Sequence, residues 1–115
     1  MRPAERDAAY LWDMLDAARR LVRLVEGMDL AEYLGDERTR LAVERLLENI
    51  GEAASHVSRP RRESLPAIRW SQIIGTRNIL AHQYGSIDHR RVWESATRSV
   101  PALIELLGQA TGESA

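Results

Sequence analysis

Apolar side chains in this chain recur every three or four residues, and no stretch of four or more alternates as a strand would. That periodicity puts the apolar residues on one stripe of a helix and predicts an all-α fold. Residues 5–26 carry Ala8, Leu11, Leu15, Ala18, Val22 and Val25 on a coiled-coil-like seam that Gly27 ends. Asp29 is placed to cap a short turn through Leu34, closed by Gly35. A second helix is expected from about Glu37 to Val57, with Val43, Leu46, Ile50, Ala53 and Val57 on its stripe. Gly51 lies inside it, where glycine costs about 1 kcal/mol against alanine, so a neighbouring backbone is expected to approach closely there.

Ser58 to Pro66 holds two prolines and three arginines and reads as a loop. Ser71 is the expected cap of a third helix reaching about Gln83, with Ile73, Ile74, Ile79, Leu80 and Ala81 as its apolar set. Gly85 and Ser86 end it. Asp88 then caps a fourth helix from His89 to about Ala110, with a kink expected at Pro101, and residues 111–115 form a frayed tail. Four main helices joined by short links predict an up-and-down bundle of four to five helices, one domain over residues 1–115.

Composition removes several chemistries. The chain has no cysteine, which excludes disulfides, thiolate metal sites and cysteine nucleophiles. All sixteen basic residues are arginine, so Schiff-base lysines and phosphate-loop lysines are excluded as well. The N-terminus is too charged for a signal peptide and no apolar run approaches a membrane span, so a soluble, cytoplasmic chain is expected. The formal net charge of −1 is a cancellation: residues 1–58 carry −4, residues 59–91 carry +5 and residues 92–115 carry −2. A polyanion is the natural partner of the middle segment.

The three histidines differ in their company. His89 follows a helix cap and reads as a surface residue. His56 stands four residues after Glu52, but no second Glu-x-x-His or His-x-x-His partner exists, so no metal site or other cofactor is expected. His82 lies in Arg77-Asn78-Ile79-Leu80-Ala81-His82-Gln83-Tyr84, inside the basic segment. A histidine moves protons near neutral pH, and an arginine fork holds a phosphate and offsets transition-state charge. Together they suit metal-independent cleavage of RNA. One histidine does not readily serve as base and acid for the same bond, so a second copy from a symmetric dimer is the expected partner.

Asn49-Ile50-Gly51-Glu52-Ala53-Ala54, Leu65-Pro66, Trp70, Ile73, Gly75 and the Arg77-to-Tyr84 run resemble the HepT family, a branch of the HEPN superfamily. The likeness continues through Val92-Trp93 and Pro101-Ala102-Leu103. It implies a homodimeric HEPN bundle whose motifs face each other across a cleft. It implies an endoribonuclease toxin of a type VII toxin–antitoxin pair, with RNA as substrate and a minimal nucleotidyltransferase as antitoxin. By that resemblance Arg77 and His82 are catalytic, Asn78 supports them, and Tyr84 is the tyrosine that the antitoxin adenylylates. Arg59, Arg61 and Arg62 are assigned to holding RNA or the partner. Trp12 and Trp93 are read as core or dimer-interface residues, Trp70 as the anchor of its loop, and Glu52 as a carboxylate paired with an arginine. The rival reading is a non-catalytic helical module that binds a nucleotidyltransferase and a nucleotide.

Overall fold

The computed structural model describes residues 2–113, and of Tyr84 the backbone alone. Among the described residues every regular element is helical: α1 (Pro3–Val25), α2 (Leu30–Gly35), α3 (Glu37–His56), α4 (Arg59–Glu63), α5 (Trp70–His82), α6 (His89–Glu94) and α7 (Val100–Thr111). A 3₁₀ turn spans Tyr84–Ser86 and a π turn spans Ser95–Ser99. No helix among the described residues is long and apolar enough to cross a membrane.

Helix starts follow local hydrogen bonding. Asp29 and Glu32 form a reciprocal capping box at α2, with Glu32 N–H donating to Asp29 at 2.8 Å and Asp29 N–H to Glu32 at 3.0 Å. Asp36 caps α3 by accepting from the Thr39 N–H (3.0 Å) and hydroxyl (2.9 Å), and those bonds hold its carboxyl below the usual range. Asp88 accepts from the N–H groups of Arg90 and Arg91 and caps α6 as expected. Gly27 and Gly112 take positive φ, 79° and 77°, at the ends of α1 and α7.

Four expectations need correction. The 58–66 segment is not all loop: Arg59–Glu63 forms one helical turn, capped by the Ser58 hydroxyl with Pro60 in its first turn, where a missing N–H costs nothing. Ser58 is itself held by Asp7, whose oxygens accept from its N–H at 2.7 Å and its hydroxyl at 2.6 Å. Secondly, Ser71 is not the cap of α5, which begins at Trp70 with no side-chain cap on Arg69. The indole N–H of Trp70 donates to the carbonyls of Arg62 and Leu65, both at 3.1 Å, and ties down the preceding loop. Thirdly, the helical stretch expected over residues 89–110 is present but carries a π turn ahead of Pro101. That turn separates α6 from α7, with Val100 N–H bonded to Ser95 O, and Pro101 falls in the first turn of α7. Lastly, Ala8 is exposed and the buried seam of α1 includes Asp7, Leu11, Met14, Ala18, Leu21 and Val25.

The core forms where α1 lies between α3 and α7, while α5 packs on the opposite side of α3. Leu11, Met14, Leu15 and Leu21 of α1 meet Val43 and Ile50 of α3 and Leu107 of α7 in one fully buried cluster. Tyr33 joins it and packs against Trp93, ring centroids 5.2 Å apart. Trp93 is thus core-associated as expected, whereas Trp12 is 41% exposed and is not a core residue of this chain.

Glu44 is buried, with its Oε2 3.4 Å from Nδ1 of His89, whose side chain stays 41% exposed, as a surface residue's would. Burial raises the Glu44 carboxyl above its ordinary value, with the charge of His89 opposing the shift. Burial, reinforced by Glu44, also pushes the Tyr33 phenol up to about 12. A carboxyl raised by folding weakens the folded state as it ionises. The cost is absent below its ordinary value of 4.5 and complete once pH passes the raised value. Glu44→Gln is therefore expected to raise the free energy of unfolding at neutral pH and to leave it unchanged below pH 4. Urea denaturation at the two pH values checks this, and a loss of stability at neutral pH would contradict it.

Candidate active site

The crossing of α3 and α5 is set by Gly51. A Cβ at that position would stand 2.2 Å from Arg77 Cβ, 2.9 Å from Arg77 Cγ and 3.1 Å from the Ile73 carbonyl oxygen. Only glycine lets the two helices come this close, as its mid-helix position suggested. The Arg77 stem lies directly over Gly51, and its guanidinium is carried to the next residue, Glu52.

There Arg77 Nη2 donates to Glu52 Oε2 at 2.6 Å, the short distance of a charge-assisted bond. Arg77 Nη1 donates to Asn78 Oδ1 at 2.9 Å. The second Glu52 oxygen lies 3.0 Å from His56 Nε2, and the His56 ring stacks on Tyr10 of α1 with centroids 5.1 Å apart. The hydrogen bond from His56, and then the charge of Arg77, hold the Glu52 carboxyl below its ordinary value. Tyr10, His56, Glu52, Arg77 and Asn78 thus form one chain of contacts across α1, α3 and α5. Glu52 is paired with an arginine, as read from sequence.

His82 occupies the last turn of α5 and is exposed, as is Asn78. No hydrogen bond or ion pair joins His82 to Arg77 among the described residues. The two lie five residues apart on one helix, about 140° around its axis. Tyr84 opens the 3₁₀ turn two residues on, and its side chain lies outside the described residues. Among the described residues no group of three or more His, Asp or Glu side chains is arranged to hold a metal ion.

Of the other expected arginines, Arg59 and Arg61 have local side-chain partners. Arg59 pairs with Glu63 at 3.2 Å and is exposed. Arg61 donates to the Ala110 carbonyl at 3.3 Å and to the Ser64 hydroxyl at 3.2 Å, fastening α4 to α7. Arg62 is half-buried beneath the Trp70 indole that its carbonyl receives. Arg59 is therefore the most exposed cation of the three.

On the far side of Glu52, a cleft of about 330 Å³ between α1 and α3 is lined by Asp13, Asp16, Asn49 and His56 among others. Its carboxylates make this cleft an unfavourable place for phosphate.

A family model described as "Ribonuclease HepT-like" matches residues 14–110. The chain belongs to the HepT-like ribonuclease family. Its match extends across α1, α3, α5 and α7, so the all-α HEPN bundle expected from the motif is the fold in hand. Among relatives of the family, "Putative RNase MJ1380" of Methanocaldococcus jannaschii is 35% identical over 83% of this chain and 87% of its own length. "Putative RNase TTE0752" of Caldanaerobacter subterraneus is 31% identical, covering 82% of this chain and 84% of its own. "Probable ribonuclease HepT" of Thermococcus cleftensis is 30% identical over 82% of this chain and 86% of its own. No solved structure matches significantly.

Proposed function

We propose that this HepT-like chain is a metal-independent endoribonuclease whose working site joins Arg77 and His82 from two copies of the chain. The observation that carries the reading is one helix, α5, that carries both groups, with the Arg77 guanidinium fixed by Glu52 and Asn78 and His82 exposed in its last turn. The names printed for the relatives support it.

The reaction divides between the two copies. Neutral His82 of one copy takes the proton from a ribose 2′-hydroxyl, and that oxygen attacks the adjacent phosphorus. Protonated His82 of the second copy gives its proton to the departing 5′-oxygen, leaving a 2′,3′-cyclic phosphate. Arg77 holds the non-bridging oxygens as negative charge builds on them. Asn78 steadies the Arg77 fork through the bond it accepts. The half-exposed Trp12 and the 46% exposed Ile79 are apolar surface available to a homodimer. Arg59, with Arg61 and Arg62 behind it, supplies positive charge to the RNA or to the partner.

Purified protein incubated with RNA in EDTA is expected to cleave it, and Arg77→Ala is expected not to. Intact RNA with the wild-type protein would refute the nuclease reading.

The same reading makes the chain the toxin of a type VII toxin–antitoxin pair, silenced when a minimal nucleotidyltransferase adenylylates Tyr84. A nucleotide on the residue two places after His82 puts phosphate charge and bulk where RNA must lie. Intact-mass analysis after incubation with the nucleotidyltransferase and ATP is expected to show added AMP on wild type and none on Tyr84→Phe. Modification that survives Tyr84→Phe would place the acceptor elsewhere.

A further inference from the structure

We propose that Glu52 is the positioning residue of this site, which orients the Arg77 guanidinium for phosphate without itself touching substrate; the inference rests on the nuclease reading above. An arginine side chain carries about 2 kcal/mol of rotamer entropy, and with a third of the Arg77 side chain exposed, packing alone does not fix one rotamer. Three contacts select it instead. Gly51 admits the stem, Glu52 holds Nη2 at 2.6 Å, and Asn78 holds Nη1 at 2.9 Å. Two of the five guanidinium N–H donors are thereby used, and Nε–H with one N–H on each terminal nitrogen is left for phosphate oxygens.

Glu52 is itself prevented from swinging. Its other oxygen is engaged by His56 at 3.0 Å, and the His56 ring is pinned against Tyr10. The charged groups facing this pair are Asp13, Asp16 and Arg20 across the α1 cleft and Arg77 on α5, with Arg20 occupied by Asp16 at 3.1 Å. An ordinary surface ion pair contributes little and leaves both side chains free to rearrange. Here the carboxylate is bonded on both oxygens, to two different elements, beside a position where no Cβ fits. The alternative role for such a carboxylate is a latch that competes with phosphate for Arg77, and the two roles predict opposite effects of its removal.

The test compares wild type with Glu52→Ala and Glu52→Gln, since glutamine keeps the oxygen acceptor and the length while losing the charge. Under single-turnover conditions in EDTA, Glu52→Ala is expected to lower the cleavage rate about 10- to 100-fold, the scale of an ångström's misplacement. Glu52→Gln is expected to recover most of that rate. The Arg77 guanidinium is read separately by ¹⁵N NMR, assigned through Arg77→Ala. Its Nε–H signal is expected to be sharp in wild type and Glu52→Gln, and averaged by rotation in Glu52→Ala. Faster cleavage by Glu52→Ala would identify a latch and overturn the proposal. So would an unchanged Arg77 signal in Glu52→Ala, or an equal loss in both variants. If the wild-type protein leaves RNA intact, the nuclease reading fails alone. Titration of the three proteins with inorganic phosphate, followed at the Arg77 signal, then decides the role of Glu52, with weaker binding expected for Glu52→Ala.

Discussion

Replacing His82 with alanine is expected to lower RNA cleavage by about 10²- to 10⁴-fold, the usual share of a positioned proton-transfer group. The protein should keep its fold, because His82 is exposed in the last turn of α5. Surface changes of this kind usually stay within about 0.5 kcal/mol. The chain offers no other proton carrier of the same kind nearby: His56 is committed to Glu52 and Tyr10, and His89 to Glu44. The comparison should be made at equal stability, with thermal melts alongside cleavage in EDTA. A His82→Ala protein that melts like wild type and still cleaves at the same rate would remove His82 from the chemistry. If each scissile bond draws on two copies, as proposed, an equimolar reassembled mixture of the two proteins is expected to lose more than half its activity.

Gly51→Ala is expected to damage both stability and cleavage. The added methyl would lie 2.2 Å from Arg77 Cβ and 3.1 Å from the Ile73 carbonyl, and neither neighbour is the free end of a flexible side chain. Relief requires α5 to move away from α3. Overpacking of this type costs about 1–3 kcal/mol, against which the better helix propensity of alanine returns about 1 kcal/mol. The net loss of stability is therefore small beside the loss of function. Shifting α5 pulls Arg77 from Glu52, and misplacement by about 1 Å costs on the order of 10²-fold in rate. Urea denaturation and single-turnover cleavage measure the two effects independently. A Gly51→Ala protein more stable than wild type and equally active would mean that the close crossing is dispensable.

Much of the fold was legible because it depends on local patterns. The 3–4 spacing located α1, α3 and α7, and Asp29 and Asp88 each cap the helix that they precede. Errors arose where a local signal had a distant partner. Ser58 looked like the start of a loop, and it caps α4 while Asp7, 51 residues away, holds it in place. Ser71 looked like a cap, but α5 begins at Trp70, whose indole is anchored by carbonyls upstream. Ala8 was read as a seam residue because apolar character was counted and Asp7 was not. Asp7 lies on the true stripe, where its hydrogen bonds to Ser58 make burial tolerable.

The candidate site divides in the same way. Arg77, Asn78 and His82 stand together in sequence, and Gly51 signalled a close approach before any partner was known. That its partner is Arg77, 26 positions later, is a property of the α3–α5 crossing that no spacing announces. The stack of Tyr10 on His56 had no sequence signal at all, since neither residue lies in a motif.

The π turn at Ser95–Ser99 has a consequence for anyone redesigning the chain. Val92, Ala96 and Val100 are all buried, four residues apart each time. In a regular α-helix two successive steps of four drift by about 80° around the axis, which would swing Val100 off the core. The wide turn absorbs that drift and lets α7 resume with Val100, Leu103 and Leu107 facing inward. Residues 95–99 therefore act as a phase corrector between two helical segments. Deleting one of them is expected to tighten the backbone into an ordinary helix with Val92 and Val100 seven positions apart, only about 20° out of phase, so that the buried face of α7 is kept.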